Sequence, residues 1–406
     1  MSEVNTVPRQ ATGRREGAVI MAGSSLTIMG AVMVAPILPK LGAEFGPIES
    51  NADVLVPIAI TGPALAIALF APVAGWLADR VGRKNLLVIA TLLYALLGAI
   101  PALLNDLQAI VGVRLLFGCT EAAIMTCCAT LIADYWRGEE RFRYVNYQVV
   151  TIGVVGALFF VIGGALGEHS WRTPFYLYIL PILLVPLMMK VLWEPRHHAE
   201  STNSNDPEQV NFWALLVGYI LVCAGMILNF IVPVQSPALL VSMGITSSTL
   251  IGAASGLGLL ATLAGALFWP LLRRRLGIRG CNALLLALIA VGLWLLAGAQ
   301  SYNGVLVAVF IHGVGAGLLV PNVMAPVMNA LTAATRGRGM GGFTASLYIG
   351  QFVSPLVVAG MLAQGGDLRS VIATLSYASL AGAGVWLLAR LIPGRAAQGA
   401  ANSSMS

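Results

Sequence analysis

The sequence predicts an all-α polytopic membrane protein whose twelve transmembrane helices form two six-helix, pseudo-symmetric bundles. Three observations predict it. Charged residues make up only 10% of the 406, against roughly 25% in an ordinary soluble domain. Apolar runs of bilayer length recur down the whole chain, a hydrocarbon core of ~30 Å needing about 20 residues per helix. Basic residues fall in alternate loops, as the positive-inside rule requires. The charge deficit excludes a soluble globular protein, a disordered chain and a nucleic-acid binder. The net charge of +6 follows membrane topology, not a basic face.

The runs lie at 17–40, 53–78, 85–104, 107–133, 144–167, 174–193, 212–235, 246–272, 279–299, 303–332, 341–364 and 370–392. The first follows a basic leader. It runs too long for a signal h-region and has no small-residue cleavage site, so it reads as a retained span. The second and third are split by the charged hairpin Asp79-Arg80-Val81-Gly82-Arg83-Lys84. The sixth and seventh are split by the only long polar stretch, Glu194 to Asn211, which holds His197 and His198. It reads as a flexible linker. The domains expected are therefore a bundle over 1–194, a cytoplasmic linker over 195–211 and a bundle over 212–406. With the N-terminus inside, 19 of the 23 basic residues lie on the cytoplasmic side; Lys40, Arg172 and Arg369 lie outside and Arg114 within a span.

The halves echo each other. Arg141-Phe142-Arg143 between spans four and five recurs as Arg336-Gly337-Arg338 between ten and eleven, at an offset of 195 residues. A duplicated six-helix unit is a transporter architecture with its site between the copies. No Walker loop, no G-x-S-x-G, no HExxH and no dinucleotide fingerprint occurs, so neither ATP drive nor catalysis is indicated. The five cysteines lack zinc-ligand or CxxC spacing. No cofactor, metal or enzymatic activity is expected.

Gly75-Trp76-Leu77-Ala78-Asp79-Arg80-Val81-Gly82-Arg83-Lys84 resembles the signature loop of the major facilitator superfamily, G-x-L-A-D-R-x-G-R-K, at every specified position. Arg114 with Gly118 resembles that family's R-x-x-x-G element. Trp171-Arg172 with Phe175, and Pro36-Ile37-Leu38-Pro39, resemble its twelve-span drug/proton antiporter branch. The fifth span departs from that branch: Phe159-Phe160 stand where the antiporters carry Gly-Pro. The resemblance implies a monomer and a cavity lined by spans one, four, seven and ten. It also places Asp79 near the start of span eleven, where a helix N-terminus attracts an anion. Gly75, Asp79, Arg80, Gly82, Arg83 and Lys84 are thus expected to form a conformational latch.

Of the 17 acidic residues only Glu121 lies clearly mid-span. An ionised carboxylate there costs at least ~2.5–3.5 kcal/mol on insertion scales, so Glu121 is the first choice for proton coupling. Arg114 lies two helical turns earlier on roughly the same face, ~10 Å along the axis. His312 in span ten is a third candidate for the relay. Polar side chains at depth should face the interior. Tyr147, Gln148, Asn229, Asn322 and Gln351 are therefore candidate substrate contacts, with helix–helix glue as the alternative for each.

The function expected is proton-coupled efflux of small amphipathic or organic compounds by alternating access. The alternative is a proton symporter importing a small organic solute such as an organic anion. The partners are a small-molecule substrate, protons and the lipid bilayer. The location expected is an inner or plasma membrane with both termini cytoplasmic.

Overall fold

The computed structural model describes residues 14–195, 210–332 and 335–391. Most of the expected 195–211 linker, with His197 and His198, lies outside the described residues. The helices are α1 (Arg14–Phe45), α2 (Ala52–Val81), α3 (Arg83–Leu103), α4 (Leu107–Tyr135), α5 (Gly138–Leu166), α6 (Thr173–Val191) and α7 (Phe212–Ser242). The next helical stretch, Ser248–Gly298, is 51 residues long and breaks at Gly277, whose φ of 69° and ψ of −179° are not helical. We treat 248–276 as α8 and 278–298 as α9. Tyr302–Asn329, Arg336–Leu362 and Leu368–Leu391 are α10, α11 and α12. With that break counted, the described residues contain the twelve expected spans.

Prolines explain where the helices depart from the apolar runs. In α1 the α-helix ends at Val32, a tight 3-10 turn covers Ala35–Ile37, and a short helix resumes over Leu38–Phe45. Pro36 and Pro39 lack the N–H that a continuous helix would use. Around Pro181 α6 becomes a 3-10 helix, over Leu177–Leu183. The Arg141–Arg143 and Arg336–Arg338 repeats, read from sequence as loops, lie in the first turns of α5 and α11. Gly75 likewise lies inside α2, and Gly82 alone makes the hairpin turn, at a φ of 96° that suits only glycine.

The buried apolar side chains fall into two clusters. One runs from Val19 to Leu192 and adds Val234. The other runs from Leu215 to Ala383. The two sets of helices meet chiefly through α5 against α8 and α2 against α11. They pack closely toward the face opposite the basic loops. A Cβ on Gly164 would strike the Ser248 carbonyl, and one on Gly252 the Phe160 carbonyl. Toward the basic face they part. Residues 138–143 of α5 are all exposed, and a Cβ on Gly337, Gly341 or Gly75 would meet open space. Along the α5–α8 pair the halves are therefore tight on the outer side and apart on the basic side, while an outer cavity of about 550 Å³ lies between α1–α2 and α7, α11 and α12.

Candidate functional site

Arg114 is fully buried in α4, and the backbone explains how. Pro63 in α2 has no N–H, so the Ala59 carbonyl four residues earlier has no helical donor. Arg114 Nε donates to it at 2.9 Å. The α-helical part of α1 stops at Val32, leaving the Gly30 carbonyl in its last turn. Arg114 Nη2 donates to that carbonyl at 2.6 Å, and the Tyr178 hydroxyl does so at 3.0 Å. The guanidinium lies over the Phe117 ring at 4.6 Å. Arg114 thus ties three helices together through carbonyls that broken helices leave over.

Glu121, two turns further along α4, is 3% exposed. It lies against Gly30, where any Cβ would collide with its carboxylate. Its Oε1 is buried with no hydrogen-bond partner. Glu121 and Arg114 form no ion pair within 4 Å, but they lie within electrostatic reach of each other. Tyr94, Tyr178 and, across the interface, Tyr348 of α11 lie within the same reach of Glu121. The Tyr94 hydroxyl donates to the Leu26 carbonyl at 2.6 Å. The Tyr348 hydroxyl approaches Met125 Sδ at 3.3 Å. A carboxylate with a free oxygen therefore sits where both halves can sense its charge.

A cavity of about 120 Å³ lies between the halves, walled by α1, α2 and α5 on one side and by α7, α8 and α10 on the other. Ile28, Val32, Phe160, Phe230 and Leu259 make it apolar; Asn229, Ser255 and His312 give it polar points. Ser255 Oγ is buried without a hydrogen-bond partner. Glu121 is not in the cavity wall; it packs beside Gly30, one residue from the lining Ala31.

The structure therefore separates the residues singled out from sequence. Asn229 and His312 line the cavity together. His312 Nε2 lies 3.3 Å from the Leu228 carbonyl and is not hydrogen-bonded to Glu121. Gln148 lies outside the cavity wall, its amide donating to Ser24 Oγ at 2.8 Å. Tyr147 is 43% exposed near the open end of α5 and accepts from Arg143 Nε at 2.7 Å. Gln351 is buried in α11. Asn322 is fully buried within the second half. Its amide donates to Asn282 Oδ1 at 2.7 Å and the Ile278 carbonyl at 3.2 Å, and its oxygen accepts from Trp269 at 3.1 Å. Those contacts join α10 to α8 and α9.

In the signature hairpin Arg83 pairs with Asp134 and, at 3.7 Å, with Asp79. The backbone N–H groups of Arg83 and Lys84, at the start of α3, donate to the Glu194 carboxylate at 2.5 and 3.0 Å. Lys84 Nζ donates to the Met189 carbonyl. Sequence reasoning missed Glu194 as a helix cap, and it missed Glu168 altogether. On the outer face Glu168 Oε2 accepts from the Thr249 N–H at 3.0 Å, from Thr249 Oγ1 at 2.9 Å and from Ser247 Oγ at 3.3 Å. A carboxylate of the first half thus caps α8 of the second. Lys40 steadies its backbone by donating to the Gly167 and Glu168 carbonyls. The only available signal was an acid just past α5 and a Ser-x-Thr at the start of α8.

The family model of the Major Facilitator Superfamily matches residues 20–279 and 215–404. The chain is 28% identical to the 3-(3-hydroxy-phenyl)propionate transporter of Escherichia coli (strain K12) over 339 residues, which cover 78% of this chain and 80% of that protein. It is also 28% identical to the class C tetracycline resistance protein of Escherichia coli over 382 residues, covering 89% and 93%. The inward open conformation of the xylose transporter XylE from E. coli has a similar fold. The TM-score is 0.75 at 15% identity, with 92% of this chain and 95% of that one covered. The signature hairpin, the twelve spans in two packed sets and the match along most of the sequence agree: the chain is a multi-pass membrane transporter of the Major Facilitator Superfamily.

Proposed function

We propose that the protein exports small amphipathic organic compounds in exchange for protons, by rocking residues 1–194 against 212–406 about the cavity at Asn229 and His312. The observation that carries the proton coupling is Glu121, a buried mid-span carboxylate with a free oxygen within electrostatic reach of Tyr348 in the other half. Protonation removes a charge that is costly at this depth. Ligand on one side and a proton on the other then compete to set which face opens. The walls of the cavity are apolar with neutral polar points, which suits an amphipathic solute more than a strongly charged one. Asp79, with Gly75, Arg80, Gly82, Arg83 and Lys84, acts as the latch that closes the basic face in the alternate state. The protein works as a monomer in an inner or plasma membrane, with the basic face and both termini in the cytoplasm.

A second reading, proton-coupled import of an organic acid, is favoured by two observations. Phe159-Phe160 replace the Gly-Pro pair of the antiporters, and one relative is named as a transporter of a phenylpropionate. Liposomes holding purified protein and an internal pH dye separate the two. Amphipathic cations, neutral drugs and aromatic acids are added outside, one at a time, with no imposed gradient. Under antiport, protons leave the lumen as substrate enters, and Glu121→Gln abolishes the signal while the protein stays folded. Protons entering with substrate would establish import instead. Full pH-driven transport by Glu121→Gln would remove Glu121 from either scheme.

A further inference from the structure

Charge is divided unequally between the halves. Residues 212–406 carry nine arginines, no lysine and one acid, Asp367. Asp367 lies at the far end of α12 from Arg390. The positive-inside rule accounts for basic residues on one face, but it does not require them to converge.

Two of them, Arg279 and Arg390, meet where α9 begins beside the end of α12, and Arg273 lies four residues before the turn between α8 and α9. Arg279 Nη1 donates to the Ala389 carbonyl at 2.7 Å, which brings the start of α9 against α12. Arg390 Nη1 stands 3.5 Å from where a Cβ on Gly280 would be. Arg273 lies over the Trp269 ring at 5.2 Å and within electrostatic reach of Cys281. Its Nη1 is buried and makes no hydrogen bond. Among the described residues, no carboxylate lies within 4 Å of Arg273, Arg274, Arg275 or Arg390. Within five residues of Arg279 or Arg390 along the chain, Ile278, Val385 and Leu388 are 37%, 65% and 65% exposed.

We propose that this corner binds the phosphate of an anionic phospholipid, with its acyl chains along Ile278, Val385 and Leu388. Guanidinium groups match a phosphate with two parallel N–H donors, which a lysine cannot do. Basic pockets between helices on the positive side of a membrane hold anionic headgroups in this way. The exposed apolar side chains next to these arginines in the chain favour a lipid over a free phosphate. The bound lipid would fasten α8 and α9 to α12, fixing the second half as one body while the first half moves.

The test is native mass spectrometry of the full chain from vesicles of phosphatidylglycerol and phosphatidylcholine. Wild type should retain phosphatidylglycerol and shed phosphatidylcholine. Each charge removed should weaken retention about fivefold, so the triple variant Arg273→Gln, Arg279→Gln, Arg390→Gln should lose it. Arg336→Gln with Arg338→Gln, on the same face outside the corner, should retain it fully. Should the triple variant not fold, Arg390→Gln alone carries the test, with an expected loss of about fivefold and unchanged thermal unfolding in phosphatidylcholine. Equal losses in the Arg336/Arg338 variant would reduce the effect to diffuse charge and overturn the site. So would unchanged retention in the corner variants. Displacement of the lipid by millimolar inorganic phosphate would make it a soluble-anion site.

Discussion

The two ends of the α5–α8 pair differ although they belong to the same helices. At the outer end the Gly164 and Gly252 backbones meet Ser248 and Phe160, and Glu168 caps α8 across the interface. At the basic end residues 138–143 of α5 are all exposed. The same carboxylate chemistry occurs on the basic face, but there Glu194 caps α3 inside its own half. A cap within a half can persist through every conformational cycle. Under the proposed rocking of the halves, a cap between them would break once per cycle, so it has to be weak. Glu168 suits that role: it is partly exposed, and water competes for its three donors.

Widening the glycine contact should break the difference most strongly. Gly252→Val places a branched side chain against the Phe160 carbonyl. Overpacking of that kind costs about 1–3 kcal/mol, and here separating α5 from α8 relieves it. The outer face should then open, with labels at Ile48 and Gln364 moving apart in pulsed-EPR distances. An unchanged distance distribution would mean that the glycines do not set the closed state.

Removing the charge of the cap should have a smaller effect. Glu168→Gln keeps an acceptor but loses the ionic part of three hydrogen bonds, and at this exposure the closed state should weaken about fivefold. The pH dependence sharpens the point. The hydrogen bond from the Thr249 N–H, followed by those from the Thr249 and Ser247 hydroxyls, holds the Glu168 carboxyl below its ordinary value of 4.5. Its contribution is therefore complete above that value and fades only as pH falls below it. With Glu121→Gln as background, so that the coupling carboxylate is silent, label distances on the outer face should stay constant from pH 8 to about 5 and lengthen only in stronger acid. In Glu168→Gln that acid response should vanish. A transition near neutral pH that persists in the Glu121→Gln background would assign the pH sensitivity to another group.

The smallest effect is expected at the open end. Asp79 lies 3.7 Å from Arg83 and is 61% exposed, so Asp79→Asn should leave ligand affinity unchanged. It should slow turnover a few-fold through the state in which the basic face closes. A pure loss of affinity would detach the hairpin from the conformational cycle.

The legible part of the candidate site was its chemistry. Glu121 stood out because an acid in a twenty-residue apolar run has no cheap explanation. Arg114 stood out for the same reason, but its partners did not. They are the Ala59 and Gly30 carbonyls, freed by Pro63 and by the break in α1, and backbone groups have no letter of their own. Asn322 and Asn229 look alike in sequence. One is tied to Asn282 and Trp269 and the other lines the cavity. A helix has only one direction that faces the partner half, and a single polar letter does not give the rotation.

The sequence by itself determined the span count, the segregation of basic residues, the duplicated halves and the hairpin at Gly82. Each follows from local properties: the length of an apolar run against bilayer thickness, the cost of moving charge across it, and the φ that only glycine accepts. Only the tertiary structure decided at which end the α5–α8 pair is tight and that Glu168 of one half caps α8 of the other. It alone placed Arg279 and Arg390, more than a hundred residues apart, together where α9 begins beside the end of α12. Those outcomes depend on how two rigid bundles meet. The energy differences between alternative meetings are small and spread over many contacts, and no single stretch of sequence encodes them.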